Sequence, residues 1–122
     1  MLFRSLSAIT TTIAYTDTSA VTIGTIPANA QIVDINIDVT TAFNAATTNT
    51  VTVGKTGSAA AYVTSTSVGS AGRASVASTG VYSAWANVGT SDIDYATVTF
   101  SQTGTAASAG AARVTIVYKS LA

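Results

Sequence analysis

The chain has 122 residues, and only 8% of them are charged, against about 25% in a typical soluble domain. Its formal net charge is zero, and it contains no histidine, no cysteine and no glutamate. These absences exclude a Ser-His-Asp triad, a thiolate nucleophile, a disulfide and the usual zinc site. A neutral chain also lacks the long-range field that attracts nucleic acid or anionic lipid, so we expect neither as a partner.

Residues 1–7, MLFRSLS, are predicted to form an N-terminal arm ahead of a single domain that spans residues 8–122. Polar residues interrupt every apolar run, which argues against a membrane span and against a cleaved signal peptide. An apolar terminus needs a partner, which is either its own sheet or a neighbouring chain, and we favour the neighbouring chain. The interface candidates in the arm are Leu2, Phe3, Arg4 and Leu6.

The first half of the domain alternates apolar and polar residues, a pattern typical of strands. Residues 8–16 place Ile9, Thr11, Ile13 and Tyr15 on one face, and a second strand ends in a turn at Pro27. The clearest strand spans residues 31–43. It is predicted to point Val33, Ile35, Ile37 and Val39 to one side, and Ile32, Asp34, Asn36 and Asp38 to the other.

The second half continues the pattern with interruptions. Val51 and Val53 are predicted to point inward from a strand, with Thr50 and Thr52 outward. Residues 66–92 are rich in Ser, Gly and Ala and show the weakest pattern. Two further strands follow, one with Ala96, Val98 and Phe100 on one face and one with Val114, Ile116 and Tyr118. Because Thr and Val favour strands and turn residues recur at short spacing, we expect an all-β antiparallel sandwich or barrel of about eight strands.

The tripeptide Gly54-Lys55-Thr56 resembles the end of a phosphate-binding loop. Such a loop needs a glycine five residues before its Gly-Lys pair and a helix after it, because the helix amides hold the phosphate. Asn49 occupies the glycine position here, and the intervening residues alternate like a strand. We therefore interpret Gly54 to Ser58 as a turn and expect no nucleotide cofactor.

The aspartates do not form a catalytic set. Asp34 and Asp38 are four residues apart on one strand, about 13 Å by strand rise, which is too far for a glycosidase pair. Asp92 and Asp94 could hold calcium only with further oxygen ligands, so a turn before a strand is the simpler interpretation. We predict that the protein is not an enzyme and has no metal, cofactor or small-molecule substrate.

Tyr82 and Trp85 are the remaining site candidates. They lie in the loop-rich half of the chain, where an aromatic pair can serve in three ways. It can close one end of the core, anchor a protein interface, or stack on a sugar. All three possibilities remain open at the level of sequence.

Residues 25–54, TIPANAQIVDINIDVTTAFNAATTNTVTVG, resemble the capsid decoration proteins of tailed bacteriophages, also called cement or stabilisation proteins. The resemblance lies in the I-P-A start, the long alternating strand, the V-T-T-A-F-N block and the strand that ends in V-G. The closing GAARVTIVYKS is also similar. The resemblance implies a small jelly-roll sandwich, often a homotrimer, and it carries over no catalytic residues.

The resemblance also implies a function. The protein would decorate and cement the outer surface of the phage capsid by bridging neighbouring major capsid proteins, after synthesis in the host cytoplasm. The alternatives are a head fibre, a receptor- or carbohydrate-binding module of the virion, and a minor tail component.

Overall fold

The computed structural model describes residues 6–26, 30–74 and 94–120. The regular structure in these ranges consists of strands, and no helix there is long and apolar enough to cross a membrane. In that part of the chain the eight strands are β1 (Ser7–Ala14), β2 (Val21–Ile26), β3 (Ala30–Thr41), β4 (Thr48–Lys55), β5 (Ser58–Ser67), β6 (Gly72–Ala74), β7 (Asp94–Thr103) and β8 (Ala111–Ser120).

The strands form two four-stranded sheets. Sheet one has the order β1-β8-β3-β6, and sheet two has the order β2-β7-β4-β5. Strand β1 pairs with β8, β2 with β7, β3 with β6 and β4 with β5, all antiparallel. This nested pairing is that of one long hairpin wound on itself, which is the jelly roll. The predicted all-β antiparallel sandwich, with about eight strands, is confirmed.

The core lies between the sheets and consists almost wholly of aliphatic side chains. Strands β4 and β7 pair so that Val51 lies opposite Phe100 and Val53 opposite Val98, and all four side chains are buried. The inward positions predicted for these two strands are confirmed. Each fully buried aliphatic side chain contributes about 1.5–3 kcal/mol, so a chain without disulfides is stabilised chiefly by this layer.

Strand β3 departs from its predicted phase at its start. Val33 is 43% exposed, whereas Ile32, which was expected to point outward, is 2% exposed. A β-bulge between Ile32 and Asp34 in the pairing with β8 is the cause, because one extra residue reverses the alternation on one side of it. From Ile35 onward the prediction is correct, and Ile35, Ile37 and Val39 are buried.

The two ends of the sandwich differ. At one end, which we call the terminal end, β1 begins beside the close of β8, with Ser7 paired to Tyr118. The turn between β4 and β5 is at the same end. Lys55 pairs with Ala96 near the start of β7, and β7 starts beside the end of β2, which leads directly into the start of β3 next to the close of β8. The opposite end, the loop end, carries the connections 42–47 and 104–110.

Hydrogen bonds join the connections of the loop end to each other. The Asn44 carboxamide oxygen accepts from the Ser108 and Ala109 amides at 2.8 and 3.0 Å, and Ala46 N–H donates to Thr105 O at 3.0 Å. Beneath these bonds the Phe43 and Phe100 rings lie 4.6 Å apart between centroids. Hydrogen-bonded connections thus close the core at the loop end, and we expect contacts with other proteins at the terminal end and on the sheet faces.

Candidate interaction surfaces

The outer face of sheet one carries most of the charge in the described residues, and we call it the charged face. Asp38 on β3 lies in register between Arg113 on β8 and Arg73 on β6. The Arg73 guanidinium also donates to Asp34 Oδ2 at 3.5 Å and to Asn36 Oδ1. Acidic and basic side chains therefore alternate across three strands.

Because opposite charges alternate, their fields largely cancel at this face. The ion pair between Arg73 and Asp34 is solvent-exposed, with side-chain exposures of 64% and 43%, so it contributes at most about 1 kcal/mol. Asp34 and Asp38 share one strand with Asn36 between them, as the sequence predicted. Among the described residues no group of three potential metal ligands occurs. Asp92 lies outside these residues.

The outer face of sheet two has a different chemistry. The positions that alternate with its buried core residues are mostly threonine and serine. Most of these residues are exposed or half-buried, but Thr97 is buried and the Thr99 hydroxyl oxygen is also buried. In-register pairs include Thr48 with Thr103, whose hydroxyl oxygens are 2.6 Å apart, and Thr52 with Thr99. We call this the hydroxyl face, and it comprises Thr22, Thr25, Thr48, Thr50, Thr52, Ser67, Thr97, Thr99, Ser101 and Thr103.

A pocket of about 510 Å³ opens on the hydroxyl face near the terminal end. Thr22 on β2 and its partner Thr97 on β7 belong to both the face and the pocket, and Thr97 is only 8% exposed. The turn between β4 and β5 supplies the opposite wall. The lining residues are Ala20, Thr22, Lys55, Thr56, Gly57, Ser58, Ala59 and Thr97.

Gly54 makes this wall possible. A Cβ atom at Gly54 would lie 2.1 Å from Ser58 O and 2.5 Å from the Ala59 carbonyl carbon. The first residues of β5 therefore pack directly over the β4 backbone, where no other residue type leaves room. This close approach brings Ser58 and Ala59 over the sheet.

A turn does follow β4, as the sequence predicted, but it is shorter than the predicted Gly54 to Ser58: Gly54 and Lys55 end β4, Thr56 and Gly57 form the turn, and Ser58 begins β5. The Thr56 amide donates to Tyr95 O at 3.1 Å, so it is already committed to the sheet. Strand β5 follows where a phosphate-binding loop has its helix. This stretch lacks the geometry of a nucleotide site.

Three large apolar side chains are exposed among the described residues, namely Leu6, Val33 and Tyr95, at 58%, 43% and 54%. Leu6, a predicted interface residue, precedes β1 at the terminal end. Tyr95 lies on the hydroxyl face, where it pairs with Thr25. The other predicted interface residues, Leu2, Phe3, Arg4, Tyr82 and Trp85, lie outside the described residues and stay predictions.

Sequence reasoning did not single out Val33 or Tyr95. The sequence did contain the information for Tyr95. Because Ala96, Val98 and Phe100 were predicted to point inward, the alternation of a strand places Tyr95 on the outward face. No signal marked Val33, whose exposure depends on the bulge.

Comparison with known proteins identifies the fold. No protein-family model and no curated protein matches the chain. A chain in the solved capsid asymmetric unit of cyanophage Pam1 is similar in structure, with a TM-score of 0.67 and 19% sequence identity. The similarity covers 96% of this chain and 86% of that chain. At this identity the two chains share a fold, which is the jelly-roll sandwich described above.

Proposed function

We propose that this protein is a virion structural protein that decorates the outer surface of a phage capsid and cements it by bridging neighbouring major capsid proteins. One observation carries the proposal, namely the structural similarity to a chain of the cyanophage Pam1 capsid asymmetric unit. The similarity extends over almost the whole of both chains, so the two are of similar length and their common part is not one small domain of a large subunit.

The chemistry of the chain suits such a role. A cement protein needs a stiff scaffold and several contacts, and it needs no reaction. The sandwich supplies the scaffold, and the absence of histidine, cysteine and glutamate leaves few groups for catalysis. Accordingly we propose that the protein has no enzymatic activity.

Cementing follows from binding equilibria. A protein that binds the assembled lattice, and not its free subunits, stabilises the lattice by mass action. We propose a homotrimer, because three linked copies engage several capsid subunits together and weak contacts add through effective concentration. The proposed capsid contact is the N-terminal arm, which continues from the exposed Leu6 at the terminal end of the sandwich.

The test uses the purified full chain and emptied, expanded heads of the phage that encodes it. Light scattering measures the mass of the free protein, and co-sedimentation measures its binding to heads and to unassembled capsid subunits. We expect a trimer, saturable binding to heads, no binding to free subunits, and a higher melting temperature of the loaded heads.

A matched pair of variants identifies the contact. Leu6→Asp and Thr12→Asp each place a carboxylate at an exposed position in or next to β1, Leu6 at the terminal end and Thr12 near the loop end, where it pairs with Arg113. We expect Leu6→Asp to weaken binding to heads at least about tenfold, as a charge does in an apolar contact, and Thr12→Asp to leave it unchanged. Absence of binding to heads would refute the proposal, and immunogold labelling of virions at a fibre or the tail would favour the alternatives.

A further inference from the structure

The pocket on the hydroxyl face has a lining that the capsid role does not require. Thr22, Thr56 and Ser58 place three hydroxyl groups around it, and each hydroxyl can donate one hydrogen bond and accept two. Lys55 lines the same wall. The lining therefore offers convergent donors and acceptors, with no carboxylate among the residues that form it.

The remaining lining residues are small, which leaves space for a ligand. Ala20, Gly57 and Ala59 have at most a methyl group, and the volume of about 510 Å³ lies within the range of small-molecule sites, roughly 300–1,000 Å³. The pocket is thus large enough for one or two sugar rings and is not closed by its own side chains.

Tyr95 does not line the pocket itself, but it adds an exposed aromatic ring next to the lining residue Thr97. It precedes Thr97 by two residues on β7, so both side chains leave the same face of the sheet, about 7 Å apart by strand rise. Its side chain is 54% exposed, although burying a tyrosine ring is favourable in water. The Tyr95 backbone accepts the Thr56 amide hydrogen bond, which ties the aromatic residue to the pocket wall.

We propose that this pocket, together with Tyr95, binds a saccharide. A sugar ring presents hydroxyl groups around its rim and C–H groups on its face. The rim would exchange hydrogen bonds with Thr22, Thr56 and Ser58, and the C–H face would stack on the Tyr95 ring. The inference goes beyond the capsid role, and it places carbohydrate recognition at residues other than Tyr82 and Trp85.

Phosphate is a weaker fit to the same pocket. Oxyanions are held mainly by several free backbone amides in a nest or at a helix N-terminus. The Thr56 amide is bonded to Tyr95 O, and the turn leads into a strand. Hydroxyl groups beside an aromatic ring suit a neutral polyol better.

The experiment is an amide-resolved NMR titration of the free, full-length chain. The probes are the methyl glycosides of glucose, galactose, mannose and N-acetylglucosamine, and the disaccharides maltose, lactose and chitobiose. Each is added to about 50 mM, well above the millimolar dissociation constants of weak sites. We expect at least one probe to shift the amides of Thr22, Thr56 to Ala59 and Thr97, and to leave those of the charged face unchanged.

Two variants and two controls test the assignment. Tyr95→Ala should weaken the affinity for the sugar about three- to tenfold, as loss of an aromatic contact does. Tyr95→Leu keeps an apolar side chain but has no aromatic ring to stack on, so it should weaken the affinity by a similar factor. Thr22→Val removes one hydroxyl at constant shape and should also weaken binding. Val33→Ala and Thr12→Val are the matched controls, since both residues are exposed on sheet one, and they should bind as the parent does.

The outcomes separate cleanly. No amide shift with any of the seven named probes, or shifts confined to another surface, would overturn the proposal. So would equal affinity in the parent, Tyr95→Ala and Thr22→Val. Because the titration uses no phage heads, its failure leaves the capsid proposal untouched, and failure of head binding leaves the saccharide proposal untouched.

Discussion

Gly110 allows the loop end to close over the core, and its replacement by alanine should be among the most damaging single-methyl changes in this chain. Its φ of +150° is a conformation that residues with a Cβ rarely adopt. A Cβ there would lie 2.5 Å from Cδ2 and 2.6 Å from Cγ of Phe43. Phe43 cannot retreat, because it is buried and its ring contacts Phe100.

Two costs add at this position. The backbone strain costs about 1–3 kcal/mol, and the steric overlap in a packed core costs about 1–3 kcal/mol more. Gly110→Ala should therefore lower the free energy of unfolding by about 4 kcal/mol, which corresponds to roughly 15 °C in Tm for a domain of this size. Gly57→Ala is the control, because Gly57 has a φ of +85° but no atom within 4 Å of a new Cβ. It should cost only about 1–2 kcal/mol.

The assay is urea unfolding followed by far-UV circular dichroism, at one fixed protein concentration because association changes apparent stability. Phe43→Leu provides a second check, since a shorter side chain makes room for the new methyl group. The double variant should be about 1–3 kcal/mol more stable than the sum of the two single changes predicts. If Gly110→Ala costs no more than Gly57→Ala and shows no coupling to Phe43, the steric argument is wrong.

Three further predictions address other features. Ile35→Ala should lower the free energy of unfolding by about 2–5 kcal/mol, and Val33→Ala by less than about 0.5 kcal/mol. The reason is that the bulge leaves Ile35 buried and Val33 exposed, so similar losses for both variants in denaturant titrations would contradict the bulge. Asn44→Ala removes three hydrogen bonds at the loop end and should cost about 1–2 kcal/mol by the same measurement, whereas a neutral result would show that water replaces them. Arg73→Ala breaks an exposed ion pair and should change Tm by less than about 4 °C at low salt, so a larger fall would refute the weak-pair assignment.

The sequence allowed the strands and most of their faces to be predicted, because alternation is a local property. In β4 and β7 the pattern runs without a bulge between these partners, and the predicted inward residues Val51, Val53, Val98 and Phe100 are buried. In β3 the same reasoning failed at Val33. A bulge arises from the pairing with β8, about 80 residues away along the chain, and no local pattern records it.

The candidate site was less accessible to sequence reasoning than the fold. The pocket depends on the close approach of β5 to Gly54 and on the pairing of Thr22 with Thr97. Both are contacts between strands, and strand order cannot be deduced from periodicity. The tripeptide Gly54-Lys55-Thr56 resembles the end of a phosphate-binding loop in sequence, yet in the structure Lys55 and Thr56 line the wall of the pocket instead.

The nested strand order also sets the kinetics of folding. Strand β8 lies between β1 and β3 in sheet one, and Thr10 on β1 bonds Thr115 on β8 across 105 residues of chain. Sheet one therefore cannot form on the ribosome before β8 has been synthesised, and β1 waits without its partner until then. Folding dominated by such distant pairings is slow, in the range of milliseconds to seconds. Until β8 pairs with it, β1 is an uncharged strand with unpaired edges, so we expect the chain to be most prone to aggregation during that interval.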